Sequence, residues 1–260
     1  MKNKNITKQV TLSLIAPMYN EEDVVDSFFE QVAGTLLEND ISYEIICIND
    51  GSTDSTLAKL IDYSKSNSNI KIVDLSRNFG KEIALTAGID HATGSAAVPI
   101  DCDLQDPPSL IVDMHRKWQE GFDVVLAKRI SRDSDTFAKR ATSSIFYKLI
   151  GKLSDIDIPS NVGDFRLMDR KVLEALRNYP ERSRFMKGLF ASLGFKTTFV
   201  EYERPERCAG QTKWNYAKLY SLALDGIISF TSFPLKIWSY IGFITAFGAF
   251  IFGAYLILKT

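Results

Sequence analysis

Three oxygen-bearing side chains at two-residue spacing, Asp101, Asp103 and Gln105, follow an apolar run from Ala96 to Ile100. Such a run predicts a short buried strand, and alternation along an extended strand end would place all three side chains on one side. Carboxylate and amide oxygens suit a hard divalent cation whose remaining ligands come from a diphosphate. A solvated acidic turn is the alternative that the residues leave open.

The elements that would position this site alternate between strands and helices. Apolar runs predict strands at residues 11–16, 43–48, 70–75, 96–100 and 124–127, and apolar spacing predicts a helix after each of the first four, with Gly94 ending the third helix. Strands that alternate with helices indicate crossover units and a mostly parallel sheet. Polar motifs follow the first four strands, at the sheet edge where open α/β folds bind ligands.

The loops and the overall charge exclude several classes of protein. No loop carries Gly-x-Gly-x-x-Gly or Gly-x-x-x-x-Gly-Lys-Ser/Thr, which argues against dinucleotide oxidoreductases and P-loop ATPases. The net charge of -1 over 260 residues gives no basic field for nucleic acid. An odd number of cysteines, Cys47, Cys102 and Cys208, indicates reduced thiols and a cytosolic setting.

The C-terminal part predicts a membrane anchor. Residues 237–258 carry no charge, and as a helix they would span about 33 Å, enough for a bilayer core of about 30 Å. A buried core helix is the alternative. Lys213, Lys218 and Lys236 precede the run, so the excess of positive charge predicts that the preceding part faces the cytoplasm. We expect a domain at residues 1–207, an amphipathic juxtamembrane segment at 208–236 and a transmembrane helix at 237–258.

Four motifs resemble, in order and spacing, those of family 2 glycosyltransferases of GT-A fold: Pro17-x-Tyr19-Asn20-Glu21-Glu22, Asp50-Gly51-Ser52-x-Asp54, Asn78-Phe79-Gly80-Lys81 and Asp101-x-Asp103-Leu104-Gln105-Asp106-Pro107. Residues 163–168, 180–188 and 209–213 are similar to phage-type bactoprenol glucosyltransferases of O-antigen modification. The resemblance covers residues 11–258. It departs from the family at Asn49, where relatives often have Asp, and in having one predicted membrane helix where relatives usually have two, which suggests a missing second span.

The resemblance implies transfer of a hexose from a nucleotide diphosphate sugar, with UDP-glucose as the first expectation, to undecaprenyl phosphate at the bacterial inner membrane. It implies a Rossmann-like, mostly parallel sheet flanked by helices. By matching position, Pro17, Tyr19, Glu21 and Asp50 would border the base and ribose, with Lys81, Asp101 and Cys102 also at the nucleotide. Asp101, Asp103 and Gln105 would hold Mg²⁺ or Mn²⁺. Arg129, Arg207 and Lys213 would bind the diphosphate or the lipid phosphate, and Asp164 matches the proposed catalytic base.

Elementary chemistry modifies two of these roles. The acceptor phosphate has a second pKa of about 6, so at cytosolic pH it already carries two negative charges and needs no strict general base. Asp164 would therefore orient the acceptor or remove its last proton, and a structural pairing with Arg166 or Arg170 is the alternative. The three cations would offset repulsion between acceptor and diphosphate, and a basic rim that attracts anionic lipid is the alternative for them.

Other functions stay open from the sequence alone. The sugar could be mannose, galactose or an N-acetylhexosamine, because these differ from glucose only in stereochemistry or one substituent. A processive transferase is disfavoured, since the chain lacks a Gln/Arg-x-x-Arg-Trp motif. A membrane-tethered nucleotide-binding protein without catalysis is the rival from another class. A membrane tether beside an amphipathic helix is also compatible with a homo-oligomer.

Overall fold

The computed structural model describes residues 10–130, 162–179, 189–190, 192–203 and 233–259. The chain divides into two compact units, one formed by residues 1–136 with 159–213 and the other by residues 137–158 with 214–260. Arg207, Lys213 and Cys208 lie outside the described residues, as does most of the predicted juxtamembrane segment.

Within the described ranges of the first unit, seven strands form one sheet with helices packed against it. The strands are β1 (Leu12–Met18), β2 (Tyr43–Asn49), β3 (Ile70–Asp74), β4 (Ala96–Pro99), β5 (Val124–Arg129), β6 (Val162–Asp169) and β7 (Thr197–Tyr202). The helices are α1 (Val25–Glu38), α2 (Thr56–Ser66), α3 (Lys81–His91), α4 (Ser109–Gln119) and α5 (Arg170–Arg177). The spatial order is β3-β2-β1-β4-β6-β5-β7, which confirms the predicted mostly parallel sheet.

The sheet's core follows from strands that are covered on both faces. All seven residues of β2 are buried, as are six of the seven in β1, and strands buried on both faces read as continuous apolar runs rather than alternating ones. Helix α1 adds Phe28, Val32 and Leu36 to this core at helical spacing. Removing the Phe28 ring would cost about 3–5 kcal/mol of unfolding free energy, because the ring is fully buried.

One strand runs against the others. β6 pairs antiparallel with β4, through Ala97 and Met168, and with β5, through Lys128 and Val162. Its first residues therefore lie at the edge where its parallel neighbours end. This reversal brings Asp164, the third residue of β6, to the predicted ligand edge.

The end of β4 differs from the sequence prediction. The strand stops at Pro99, and the N–H of Leu104 returns to the carbonyl of Asp101 at 3.3 Å in a turn. Leu104 has a φ of 52°, which is far from an extended conformation. The extended alternation predicted for Asp101, Asp103 and Gln105 is therefore wrong. The strand stops there because its pairing with β1 ends at Pro99, where proline also removes a ladder donor.

Gly94 also has another role than the one predicted from its position. Helix α3 ends at His91 rather than at Gly94. A Cβ on Gly94 would lie 2.8 Å from the backbone nitrogen of Ser13, which is closer than van der Waals contact allows. The glycine is needed for the close approach of this connection to β1.

The second unit contains α6 (Phe233–Lys259), a helix that agrees with the predicted span at 237–258. Its segment Lys236–Lys259 has a mean hydropathy of 2.2 and none of the tested window is buried inside the protein. Among the described residues it is the one helix long and apolar enough to cross a membrane. A core helix would pass the same test of length and composition, but it would be buried.

Candidate active site

A pocket lies at the C-terminal edge of the sheet, where polar loops follow the parallel strands and where β6 begins. It is lined by residues of β1, α3, the β4 end and β6: Pro17, Lys81, Leu85, Pro99, Ile100, Asp101, Asp106, Asp164 and Phe165. Of the predicted site residues, Pro17, Lys81, Asp101 and Asp164 thus share one cavity wall.

The ammonium group of Lys81 joins two carboxylates in this pocket. Its Nζ lies 2.7 Å from Oδ1 of Asp101 and 3.1 Å from Oδ2 of Asp164. Lys81 is the first residue of α3, and the positive end of a helix dipole disfavours a cation. Burial also opposes its charge, but Asp101 and Asp164 prevail and raise the pKa of Lys81 above its ordinary value. Two carboxylates therefore surround one ammonium group, which leaves a net negative charge at this point of the pocket.

The loops after β2 and β3 are fastened together by Asp50. Its carboxylate is buried and accepts the N–H of Phe79 at 2.7 Å and the N–H of Gly80 at 2.9 Å. Gly51, with a φ of 67°, lets the loops approach, since a Cβ there would run into the backbone of Arg77. Asp50 thus has a fastening role that the sequence did not predict, and the predicted contact with base or ribose stays a prediction.

The structure gives a physical reason for the departure at Asn49. The Asn49 side chain donates from Nδ2 to Oδ1 of Asp74 at 2.7 Å and accepts the N–H of Ser52 at 3.2 Å. An aspartate at position 49 would instead place two carboxylates side by side, which is unfavourable. In this chain the neutral amide and Asp74 are matched to one another.

The loop after β1 is tied to the β2 loop through backbone groups. The N–H of Asn20 donates to Ser52 Oγ at 3.0 Å, and the N–H of Glu21 donates to Thr56 Oγ1 at 2.9 Å. Tyr19, just before them, is 38% exposed, so its ring is accessible to a ligand. A role for Tyr19 and Glu21 at the nucleotide stays a prediction.

The three predicted metal ligands in the turn after β4 differ in how far they are buried. Asp101 and Asp103 are partly exposed, whereas Gln105 is only 6% exposed. The N–H of Gln105 donates to Oδ1 of Asp103 at 3.2 Å. Cys102 between the two aspartates is buried, and burial together with the nearby carboxylates raises the pKa of its thiol, which keeps it neutral. The predicted contact of Cys102 with the nucleotide stays a prediction.

The oxygen donors of this turn can coordinate a hard cation only together with oxygen atoms from a bound ligand. Within the described ranges, no three acidic, histidine or cysteine side chains converge as a ready-made metal site. Two aspartates and an amide would need phosphate oxygens to complete the coordination of Mg²⁺ or Mn²⁺. The Lys81 ammonium lies beside Asp101, so one carboxylate of this turn already binds a cationic group.

Two residues that sequence reasoning missed connect the turn to Arg129. The Tyr202 hydroxyl donates to Oδ1 of Asp106, and it accepts the Nε–H of Arg129 at 3.1 Å. Burial, followed by the Asp106 carboxylate, raises the pKa of Tyr202 to about 12. Asp106 belongs to the quoted motif and could have been singled out from it. Nothing in the sequence around Tyr202 indicated its partner.

Arg166 and Arg170, the alternative partners proposed for Asp164, each donate to a backbone carbonyl. Arg170 lies at the far end of β6 and donates to the carbonyl of Ala92 at 3.0 Å. Arg166 donates to the carbonyl of Gly163 at 2.7 Å, and its guanidinium lies over the Phe190 ring. Asp164 pairs with Lys81 at 3.1 Å, and a structural pairing of Asp164 with Arg166 or Arg170 stays the alternative.

Comparison with known proteins agrees with this geometry. Residues 13–177 match the family described as glycosyl transferase family 2. The chain is 56% identical, over 96% of its length and 79% of the relative's, to an uncharacterized glycosyltransferase of Synechocystis. It is 49% identical, over 96% of its length and 81% of the relative's, to a protein of Escherichia coli named prophage bactoprenol glucosyl transferase homolog.

Solved structures agree on the fold. Glucosyl-3-phosphoglycerate synthase from Mycobacterium tuberculosis in complex with UDP superposes with a TM-score of 0.55 at 18% identity, over 84% of this chain and 79% of that one. The same synthase with Mn²⁺ and UDP-glucose gives a TM-score of 0.51 at 17% identity, over 82% and 75% of the two chains. With the family match and the close relatives, the chain belongs to glycosyltransferase family 2.

Proposed function

We propose that this chain transfers a hexose, with glucose from UDP-glucose as the first choice, to undecaprenyl phosphate at the inner face of a bacterial plasma membrane. The observation that carries the proposal is the Lys81 ammonium between Asp101 and Asp164 in a pocket at the ligand edge of the sheet. The name of the Escherichia coli relative, a bactoprenol glucosyl transferase homolog, supports the lipid acceptor.

A nucleotide-sugar donor would lie along the edge formed by the first four loops. Pro17 lines the pocket and Tyr19 is exposed beside it, which supports the base and ribose end there. Asp103 and Gln105, together with Asp101, are the residues that would hold Mg²⁺ or Mn²⁺. Such a cation would supply charge neutralisation at the diphosphate, and the Mn²⁺ and UDP-glucose bound by the mycobacterial synthase support this assignment.

The charge that develops on the leaving group determines where the protein needs positive groups. Negative charge grows on the β-phosphate as the bond to the anomeric carbon breaks, and fixed positive groups stabilise a charge best where it develops. Lys81 lies in the pocket and carries a full charge because of its two carboxylate partners. Lys81 would therefore face the diphosphate, and Arg129 would face one of the two phosphate groups.

The acceptor phosphate needs positioning more than it needs a base. With a second pKa of about 6, it is a dianion in the cytosol and can attack without losing a proton. The ammonium of Lys81 at 3.1 Å favours the ionised form of Asp164. Asp164 would thus orient Lys81 and the acceptor, and it would take a proton only from the monoanionic form of the acceptor.

The membrane side of the proposal depends on α6. An exposed apolar helix of this length would place the chain at a bilayer, where a polyprenyl phosphate presents its head group. Lys236 at its N-terminal side is consistent with a cytoplasmic catalytic unit.

The test is transfer of radiolabel from UDP-glucose into organic-extractable lipid, using the full chain with undecaprenyl phosphate and Mg²⁺. Labelled lipid should form, and EDTA should abolish its formation. Asp103→Asn should lower turnover at least about 100-fold, whereas Asp113→Asn, which removes an exposed carboxylate paired with Arg116 on α4, should leave it unchanged.

A panel of nucleotide sugars then defines the donor. Turnover with another sugar in place of glucose would correct the donor and keep the reaction. A wild-type protein that binds UDP but yields no metal-dependent lipid product with any nucleotide sugar would contradict the proposal and favour a binding protein.

A further inference from the structure

A hydrogen-bonded chain of three polar groups, two of them buried, runs from Asp106 in the turn after β4 through Tyr202 to Arg129. Asp106 is 6% exposed and Tyr202 is 7% exposed, so both side chains are removed from water. They come from the turn after β4 and from the end of β7, and Arg129 is the last residue of β5. Three elements of the sheet edge therefore meet at one hydroxyl group.

The direction of the hydrogen bonds in this chain is fixed by chemistry. A guanidinium can only donate, and an ionised carboxylate can only accept. The Tyr202 hydroxyl must therefore accept the Nε–H of Arg129 and donate its own proton to Asp106. Phenylalanine would fill the same volume without this function, so the hydroxyl has a role beyond packing.

The hydroxyl also links two charges that form an ion pair at 3.9 Å, a distance too long for a direct hydrogen bond. Arginine and a carboxylate usually form two parallel hydrogen bonds, which occupy the guanidinium edge. Here the shortest approach of Arg129 Nη2 to Asp106 Oδ1 is 3.9 Å, beyond hydrogen-bonding distance. Tyr202 holds the Nε side of the guanidinium, so the Nη edge is oriented without being joined to Asp106.

The oriented guanidinium lies beside the start of β6. A Cβ built on Gly163 would lie 3.8 Å from Arg129 Nη2, and the next residue is Asp164, in the pocket. Asp106 lines the same pocket. The Arg129 side chain is 23% exposed, so part of it is accessible to a ligand. Phosphate oxygens are the partner that a fixed arginine fork fits best.

We propose that Tyr202, anchored by Asp106, is a positioning residue that aims the Arg129 guanidinium at a phosphate group bound in the pocket. The inference rests on the proposed function for the identity of the ligand. The phosphate belongs either to the diphosphate of the donor or to the head group of the lipid acceptor. Both present the same oxyanion chemistry to Arg129, and separate binding measurements distinguish them.

The experiment measures two affinities for Tyr202→Phe, for Arg129→Gln and for the double variant, with the full chain in detergent. One arm is calorimetric binding of UDP with Mg²⁺, and the other is binding of a short polyprenyl phosphate. Hydrogen bonds to charged groups are stronger than those between neutral groups, so Tyr202→Phe should weaken one of the two affinities about tenfold. In the Arg129→Gln background the same change should have no further effect.

Tyr63→Phe is the matched control. The Tyr63 hydroxyl also donates to a carboxylate, Oδ1 of Asp26 at 2.9 Å, but it joins α2 to α1 at an exposed position. Its removal should leave both affinities unchanged. If Tyr202→Phe folds poorly, as judged by thermal unfolding, Asp106→Asn gives a second route. It removes the charge that anchors the Tyr202 hydroxyl, so it should weaken the same affinity as Arg129→Gln and should have no further effect in the Arg129→Gln background.

The possible outcomes distinguish the donor phosphate from the acceptor phosphate. A loss confined to UDP assigns the donor diphosphate to Arg129, and a loss confined to the polyprenyl phosphate assigns the acceptor. Unchanged affinities in Tyr202→Phe, or a full additional loss in the Arg129→Gln background, would overturn the positioning role, as would an Asp106→Asn loss that remains in full in the Arg129→Gln background. Both arms are binding measurements, so they still apply if the wild-type chain transfers no sugar, a result that would contradict the proposed function alone.

Discussion

The two ends of the sheet each hold a lysine and carboxylate, but in opposite proportions. At the N-terminal end, one carboxylate, Glu44, receives Ser13 Oγ at 2.5 Å, both the N–H and the hydroxyl of Thr93, and Lys71 Nζ at 2.5 Å. At the C-terminal edge, one ammonium is shared by two carboxylates. In the first cluster one carboxylate is surrounded by several donors, whereas in the second one ammonium faces two carboxylates, which leaves a net negative charge.

The difference distinguishes structural from functional electrostatics. The Glu44 side chain is 2% exposed and surrounded by fixed donors, so it joins strands and leaves no room for a ligand. Lys81 and Asp101 are 40% and 41% exposed and line a pocket, so their excess negative charge is open to an incoming cation. A buried carboxylate surrounded by donors of the fold stabilises that fold, whereas a partly exposed cluster with a net negative charge can bind a cation.

The largest expected effect is that of Lys81→Met on sugar transfer. Loss of the ammonium would leave Asp101 and Asp164 facing each other and would remove a positive charge at the diphosphate, so we expect turnover to fall about 100-fold or more. The thermal unfolding midpoint should change little, because the side chain is half exposed. Transfer assays and thermal unfolding on the same preparation measure both. Full activity in Lys81→Met would refute its placement at the diphosphate.

Glu44→Gln should show the converse pattern. The amide has nearly the same shape but loses charge-assisted hydrogen bonds, so the unfolding free energy should fall by about 1–3 kcal/mol. Transfer per folded molecule should be unchanged, because Glu44 lies at the opposite end of the strands. Urea unfolding of the full chain in detergent, followed by circular dichroism, measures the first quantity. An equal loss of transfer activity would show that the two ends are coupled.

The smallest expected effect is a pH dependence of the difference in unfolding free energy between the wild type and Glu44→Gln. Burial opposes the charge of Glu44, but Lys71, Ser13 and Thr93 outweigh it and lower the pKa of its carboxyl below 4.5. The stabilisation is therefore present above pH 4.5 and is lost as pH falls through the lower, folded-state pKa. The gap in unfolding free energy between wild type and Glu44→Gln should shrink in that acidic range. A gap that is constant down to pH 3 would mean that the carboxylate charge does not contribute.

Much of the site's location was predictable, because local patterns determine it. The alternation of strands with helices fixed the parallel sheet, and the chain order of the loops placed Pro17, Asp50, Lys81 and Asp101 at one edge. These inferences needed only apolar periodicity and the rule that parallel strands end on the same side.

The remaining features depend on contacts between distant residues. The antiparallel entry of β6 depends on pairing Ala97 with Met168, and nothing near either residue encodes it. The turn at Asp101 results from the end of strand pairing rather than from the local pattern. Tyr202 finds Asp106 across 96 positions of sequence. Such long-range pairs override local preference, which is why the alternation argument was wrong there.

The reversed direction of β6 has a consequence for the order in which the protein is made. β1 to β4 can pair with one another as soon as residue 99 has left the ribosome, whereas β4 gains its second neighbour only after residue 169. A nascent chain that is stalled before residue 162 would carry the lysine with one aspartate instead of two. The part of the cavity that Asp164 and Phe165 line is thus the last to be made during translation.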